Sequence, residues 1–128
     1  MEKSETKSTF ETLEVWKKAR ELRKETSKYT KTLPDIEKYR LVDQMIRASR
    51  SVTANIAEGH GRFHYLENMR FCRQARGSLY ELFDHYTVAL DEEYISEKVF
   101  LDFKAKIFEV IKILNGYIKY LKNRKMTE

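Results

Sequence analysis

The chain has 128 residues with a formal net charge of +5, and 35% of the residues are charged against 41% that are hydrophobic. This length fits one domain, and a single proline with four glycines leaves too few turns for a sandwich, a barrel or a doubly wound sheet. One cysteine excludes a disulfide framework and a thiolate zinc site, and a polar start without any apolar run of about 20 residues predicts neither a signal peptide nor a membrane span.

These features predict a cytoplasmic, mostly helical protein. Its first predicted helix spans residues 11–31. Its apolar positions recur at steps of three and four, which places them on one face; they are Leu13, Trp16, Ala19, Leu22, Thr26 and Tyr29. Ser8 or Thr9 is expected to cap the first turn, because a hydroxyl oxygen accepts hydrogen bonds from the unpaired N–H groups there. Leu33-Pro34 is expected to prevent the helix from continuing, since a proline disfavours the α conformation of the residue before it.

The second predicted helix spans residues 36–58. The residues on its apolar face are Leu41, Met45, Ala48, Val52 and Ile56. Gly59 is predicted to end this helix as a left-handed cap, because glycine adopts a positive φ without a steric penalty. A short loop of His60, Gly61 and Arg62 is expected to follow.

The third predicted helix spans residues 65–89, with Met69, Cys72, Ala75, Leu79, Leu82 and Tyr86 on its apolar face. Glycine weakens a helix interior, so Gly77 is interpreted as the site of a tight helix crossing. The fourth helix is predicted to start after a cap at Ser96 and to end at residue 124. Its apolar residues are Val99, Phe103, Ile107, Val110, Leu114, Tyr117 and Leu121.

Four amphipathic helices joined by short connections predict an antiparallel, up-down-up-down four-helix bundle over residues 10–124. Residues 1–9 are predicted to form a disordered lead, and residues 125–128 are predicted to fray.

Charge is segregated along the chain. Six arginines outnumber two glutamates between residues 47 and 76, a net charge of +4. Six acidic residues outnumber one lysine between residues 84 and 102, a net −5, and residues 117–128 carry +3. Such a layout serves a nucleic-acid partner, pairs subunits with one another, or is ordinary solvated surface. The candidate nucleic-acid-binding residues are Arg47, Arg50, Arg62, Arg70, Arg73, Arg76, Lys122, Arg124 and Lys125.

Aromatic residues provide two further indications. Phe63 and Tyr65 lie beside the arginines, where they either stack on unpaired bases or pack against the core at the helix entrance. Several large side chains also lie off the inner stripes, and a second apolar face of this kind predicts oligomerisation. These residues are Phe63, Phe71, Phe83, Phe100, Phe108 and Tyr120.

Asn55 and Glu58 form a polar pair near the predicted end of the second helix. They either hold a ligand or build the corner, with Asn55 bonding backbone groups and Glu58 pairing with Arg62 or Arg47. We favour the structural interpretation, because a glycine cap with its own counter-charge usually builds a corner.

The sequence contains no recognisable catalytic or metal-binding constellation. His60 and His64 are separated by a glycine and a helix boundary, and His85 stands alone, so neither a metal nor a cofactor is expected. Cys72 is interpreted as a core residue and Ser78 as a small residue at a helix contact.

A set of motifs resembles a known family. They are Gln44, Arg47-Ala48, Asn55-Ile56-Ala57-Glu58-Gly59, Arg62 and Gly77-Ser78-Leu79-Tyr80-Glu81, with the pentapeptide at residues 55–59 the most specific. Over residues 10–121 the chain is similar to the four-helix bundle proteins of the 23S rRNA intervening-sequence family, also called S23 ribosomal proteins. It departs from their pattern at Arg40 and at residues 51–54.

The resemblance implies a bundle that assembles into a homopentameric ring. It also implies structural roles for the motif residues, which are Gln44, Asn55, Glu58, Gly59, Arg62, Gly77, Ser78 and Glu81. A related branch contains the accessory protein of diversity-generating retroelements, a basic pentamer that associates with a reverse transcriptase and nucleic acid.

These observations predict a non-enzymatic, homo-oligomeric scaffold that binds RNA, DNA or a nucleic-acid-processing protein through a basic surface. One alternative is a protein-interaction ring whose charges serve only self-assembly. The other is a small-molecule enzyme with a pocket near Asn55 and Glu58.

Overall fold

The computed structural model describes residues 9–127, and these residues form four α-helices, two short 3-10 helices and no β-strand. The α-helices are α1 (Glu14–Thr30), α2 (Leu41–Gly61), α3 (Tyr65–Asp91) and α4 (Glu97–Thr127). The prediction of an all-α protein with four helices is therefore confirmed. The expected cap at Ser8, the rest of residues 1–8 and Glu128 lie outside the described residues.

Helix α1 begins later than the apolar pattern predicts, because a 3-10 turn at Phe10–Thr12 precedes it. The Thr9 hydroxyl oxygen accepts a hydrogen bond from the Glu11 N–H at 3.3 Å, so this threonine caps the 3-10 turn and not α1. Leu13 has an extended backbone (φ −72°, ψ 129°) that separates the turn from the helix. The predicted start at residue 11 is therefore wrong.

Helix α2 also begins late, after a 3-10 turn at Asp35–Glu37 that follows Pro34 directly. The backbone of Arg40 is not helical (φ −123°, ψ −102°), which interrupts the run that the sequence predicts from residue 36. The Glu37 carboxylate then accepts a hydrogen bond from the N–H of Leu41, the first residue of α2, at 3.3 Å.

The end of α2 corrects the prediction for Gly59. This glycine is buried inside the helix, which continues to Gly61. No glycine among residues 9–127 has a positive φ; the left-handed residue of the connection is Phe63, with φ 55°. A Cβ atom on Gly59 would lie 2.9 Å from the Cβ of Phe71, so the glycine is needed for the close approach of α2 and α3.

The interpretation of Gly77 as a tight crossing is wrong. Gly77 is exposed on α3, and a Cβ atom placed there would meet nothing within 4 Å. The close approach occurs at Gly59 instead. At the start of α4, Ser96 accepts a hydrogen bond from the Val99 N–H at 3.2 Å, as predicted for a cap. Helix α4 extends beyond its predicted end to Thr127.

The core is built from the predicted apolar faces. Every residue of the α2 and α3 stripes is buried, whereas Val99 of the α4 stripe is 42% exposed. Phe71 and Phe100, which the sequence pattern places on an outer face, are buried as well. At the centre the Tyr86 hydroxyl lies 2.9 Å from the hydroxyl of Thr26.

The helices enclose this core because α1 and α3 each pack against both α2 and α4. No helix within residues 9–127 is long and apolar enough to cross a membrane.

Candidate functional site

The predicted arginines do not form a single patch. A hydrogen bond of 2.8 Å between the hydroxyls of Ser51 and Ser78 fixes the register of α2 against α3. Arg50 precedes Ser51, whereas Arg70 lies eight residues before Ser78, which corresponds to about 12 Å along a helix. Arg47 lies one helical turn before Arg50 on α2, and therefore still farther from Arg70. It is paired with Asp43 at 3.9 Å.

Arg62 and Arg70 are brought together by the ring of Phe71. The guanidinium carbons of the two arginines lie 5.1 and 5.6 Å from the ring centroid, distances typical of cation–π contacts. Arg62 also donates to the Glu58 carboxylate at 2.9 Å, and Arg70 lies 3.9 Å from Glu67. The cluster therefore combines two cations with two partly exposed counter-charges around a buried ring.

Neither of the remaining arginines of α3 contacts the Phe71 ring in the described part of the chain. Arg76 donates to the side-chain carbonyl of Asn115 on α4 at 2.7 Å, which directs it toward that helix. Arg73 and Arg50 are exposed. Only Arg62 and Arg70, of the six arginines between residues 47 and 76, share one local cluster in the described part of the chain.

Next to this cluster lies a cavity of about 370 Å³, here called the loop cavity. The start of α1, the α2–α3 connection and the end of α4 meet around it. Its aromatic walls are His60, Phe63, His64, Tyr65, Tyr117 and Tyr120, and Leu13, Asn68 and Leu121 complete the lining.

The rings of the loop cavity are organised in pairs. Tyr117 and Tyr120 stack with centroids 6.1 Å apart and planes at 15°, and the His60 and Phe63 rings are 6.4 Å apart. The buried Asn68 amide donates to the Tyr117 hydroxyl at 3.2 Å. Burial raises the pKa of Tyr117, although this hydrogen bond opposes the shift.

Cations lie in two of the chain segments that meet at the loop cavity, the α2–α3 connection and the end of α4. Arg62 directly precedes Phe63, and Lys122 directly follows Leu121. Lys125 and Arg124 are exposed on the last turns of α4. Among the described residues from 117 onward there are four cations and no acidic residue, so the end of α4, which contributes Tyr117, Tyr120 and Leu121 to the lining, is positively charged.

Asn55 is held by contacts within the fold. Its amide nitrogen donates to the backbone oxygen and to the hydroxyl of Ser51 at 2.9 and 3.0 Å, and Ser51 in turn bonds Ser78. Together with the Arg62–Glu58 pair, these bonds match the structural interpretation of the Asn55–Glu58 motif. Of the other motif residues, Glu81 contacts His85 at 3.1 Å and Gln44 is exposed.

Metal ligands and the thiol of Cys72 are the remaining side chains to be located. No group of three or more histidine, cysteine, aspartate or glutamate residues within 9–127 is arranged to hold a metal ion. Cys72 is buried in the core as predicted, and burial raises the pKa of its thiol to about 12 although the charge of Arg73 lowers it.

Sequence reasoning identifies Phe63 and Tyr65 beside the arginines, and it identifies the cations at the end of α4, but it does not connect Tyr117 and Tyr120 of α4 with this site. Tyr117 lies on the predicted core face, and the sequence pattern places Tyr120 on an outer face. The sequence feature that could have indicated a role for Tyr120 is its position one turn before the basic end of α4. This feature can be interpreted only when the structure shows that α4 ends beside the α2–α3 connection.

Comparison with known proteins agrees with this fold. A solved structure of similar shape is that of a protein of unknown function from the S23 ribosomal protein family of Bacteroides thetaiotaomicron. Its TM-score is 0.75 at 22% identity, over 82% of this chain and 98% of that one. No curated protein of similar sequence was found. The sequence profile of the 23S rRNA-intervening sequence proteins matches residues 11–116, and the chain therefore belongs to this family.

Proposed function

We propose that this protein is a non-enzymatic, homo-oligomeric scaffold that binds nucleic acid, or a nucleic-acid-processing protein, through the basic surface around the loop cavity. The observation that carries the proposal is the combination of aromatic walls with cations in two of the segments that meet there, at Arg62 and at the end of α4. Cations release counterions from phosphates, and exposed rings stack on bases.

The proposed architecture is an antiparallel, up-down-up-down bundle. Two contacts between α2 and α3 support it, because Ser51 lies against Ser78 whereas Gly59, later in α2, lies against the earlier residue Asn68 of α3. The sequence numbers therefore run in opposite directions along the two helices.

An outer aromatic cluster on α3 and α4 supports self-association. The Phe108 ring packs edge-on against Phe83 and Tyr80 with centroids 5.3 and 5.8 Å apart, and Tyr80 is still 50% exposed. Leu101, two turns before Phe108 on the same face of α4, is 51% exposed. An apolar surface of this kind favours contact with another subunit, and the proposed assembly is the homopentamer that the family resemblance implies.

Nucleic-acid binding is tested by its salt dependence. Affinity for RNA or DNA is expected to fall steeply with salt, and Lys122→Gln with Lys125→Gln is expected to reduce the logarithmic slope by about 0.7 for each phosphate of a single strand that these lysines no longer neutralise. Lys31→Gln with Lys98→Gln removes the same charge at exposed positions away from the cavity and is expected to leave the slope unchanged. Affinity that does not change with salt concentration, or no binding at low salt, contradicts the proposed nucleic-acid binding.

The alternative of a protein-interaction ring is favoured by the exposed acidic residues Asp91, Glu92 and Glu93 at the end of α3. If charge serves only assembly, replacing these three residues by lysine is expected to dissociate the oligomer. The protein is then expected to bind no nucleic acid, with or without the substitutions. Light-scattering mass together with the ultraviolet absorbance ratio of purified protein reports subunit number and bound nucleic acid in one measurement.

An enzyme with a pocket near Asn55 and Glu58 is not favoured. The Asn55 amide is bonded to Ser51 and the Glu58 carboxylate is bonded to Arg62, so both groups serve as structural contacts.

A further inference from the structure

Phe63 combines two unfavourable features. Its backbone adopts φ 55°, a conformation that bulky residues rarely occupy, and its side chain is 89% exposed. A glycine or an asparagine satisfies the same left-handed turn at less cost, and an exposed phenylalanine ring gains nothing from burial. Packing within the subunit therefore does not account for a phenylalanine at this position.

The exposed ring stands at the edge of the loop cavity. A volume of about 370 Å³ lies within the range of roughly 300–1,000 Å³ that is typical of small-ligand sites. Tyr65, Tyr117 and Tyr120 supply further aromatic surface. The Tyr117 hydroxyl accepts from Asn68, which leaves its own hydrogen available for a ligand.

Polar and charged groups at the cavity complement a nucleotide. His60 and His64 line the same cavity. The ring nitrogens of a histidine are able to hydrogen-bond the edge of a base. Arg62 directly precedes Phe63 and Lys122 directly follows Leu121, and both are exposed, so cations are available beside the cavity for the phosphates on either side of a bound base.

We infer that the loop cavity takes one unpaired base of a single-stranded nucleic acid, with Phe63 as a stacking platform and the adjoining cations as phosphate contacts. This inference rests on the proposed nucleic-acid binding. Bases within a duplex are stacked on one another and do not offer their faces, whereas unpaired bases stack on aromatic side chains. The protein is therefore expected to prefer single strands to duplexes.

The test compares single strands of about 12 nucleotides, as RNA and as DNA, with the duplex of the same sequence. Phe63→Gly removes the ring and relieves the backbone, so the variant is expected to fold at least as stably as the parent. Its affinity for the single strand is expected to fall about 5- to 140-fold, in line with the loss of one stacked base, while duplex affinity stays constant. Tyr39→Ala removes a ring that is 83% exposed near the start of α2 and is expected to change neither affinity.

The outcomes separate the two proposals. If the parent binds neither form at low salt, the proposed nucleic-acid binding itself is wrong. If it binds both with a salt dependence but Phe63→Gly has no effect, or lowers both affinities equally, nucleic-acid binding stands and the base subsite is overturned. If Phe63→Gly changes the mass of the oligomer measured by light scattering but leaves single-strand affinity unaltered, the base subsite is also overturned. A second subunit, and not a base, then occupies the loop cavity.

Discussion

Gly59 and Asn68 pack so closely that a Cβ atom on the glycine would lie 2.7 Å from the side-chain oxygen of the asparagine. Asn68 is buried, and its amide donates to the Tyr117 hydroxyl on α4 at 3.2 Å. The side chain is thus held between α2 and α4 and has little freedom to move aside. This contact joins three helices directly beneath the loop cavity.

Replacing Gly59 by alanine is expected to destabilise the fold. The added methyl group overlaps Asn68 and Phe71, and overpacking a core typically costs about 1–3 kcal/mol, which exceeds the gain of about 1 kcal/mol in helix propensity. Urea unfolding followed by circular dichroism measures the difference.

Gly77→Ala is the matched control for this experiment. The position is helical and exposed, with nothing within 4 Å of the added Cβ. Only the propensity gain remains there, so a stabilisation of about 0.5–1 kcal/mol is expected. Equal effects of the two substitutions would show that the Gly59 contact does not constrain the packing.

The two glycines illustrate what the sequence predicts and what it does not. The stripe of Val52 and Ile56 continues, three residues on, to Gly59, so periodicity alone places this glycine toward the neighbouring helix. The residues that follow, His60-Gly61-Arg62, instead favour a loop, and for that reason the sequence predicts that the helix ends before Gly59. Gly77 lies two residues from both Ala75 and Leu79, off the stripe, which already indicates an exposed position.

The candidate site is less predictable than the helices. Apolar spacing identifies the buried face of each helix, because that face depends on local periodicity. Whether Arg62 reaches Phe71, or Tyr120 faces His60, depends on the rotation and register of separate helices. Those quantities are set by packing between residues that are distant in sequence, and no local pattern contains them.

The buried hydroxyl pair Thr26–Tyr86 gives a second prediction. Tyr86→Phe removes one partner of a 2.9 Å hydrogen bond and leaves the other unpaired in the core, at an expected cost of about 1–3 kcal/mol. Thr26→Val alone is expected to be destabilising for the same reason. The double variant is expected to lose less than the sum of the two, because no unpaired hydroxyl remains. If the losses of stability in the two single variants simply add up in the double variant, the hydrogen bond contributes nothing to the stability of the fold.

Cys72 provides a probe of unfolding. Its side chain is buried and its thiol pKa is raised to about 12, so the reactive thiolate is scarce at neutral pH. A disulfide reagent is therefore expected to leave the native protein unmodified. Its reaction rate is expected to rise with urea in parallel with global unfolding. Rapid, complete labelling of the native protein at neutral pH would contradict the core assignment.

The tyrosines define the alkaline limit of stability. Burial raises the pKa of Tyr29 from 10.0 to about 12 and raises that of Tyr86 as well. In the unfolded chain these phenols lose their protons near pH 10, so the unfolded state binds fewer protons than the folded state above that pH. Stability is therefore expected to be constant with respect to these groups below pH 10 and to fall as the pH rises toward 12.

Ultraviolet absorbance of phenolate, recorded together with circular dichroism, measures this transition. Of the eight tyrosines, the buried ones are expected to ionise only as the helical signal is lost. Ionisation of all of them in a single step near pH 10, with the helices intact, would contradict the prediction.

The last prediction separates a structural role for Asn55 from a ligand-binding role. Asn55→Ala removes both bonds to Ser51 and loosens the Ser51–Ser78 contact between α2 and α3, at an expected cost of about 1 kcal/mol. Ser51→Ala disrupts the same chain, so the double variant is expected to cost less than the sum of the single ones. Affinity for single strands is expected to equal that of the parent in both single variants and in the double variant. The reason is that the Asn55 amide is bonded to Ser51 within the same subunit. If Asn55→Ala keeps full stability but loses nucleic-acid binding, the asparagine belongs to the binding surface and the structural interpretation is wrong.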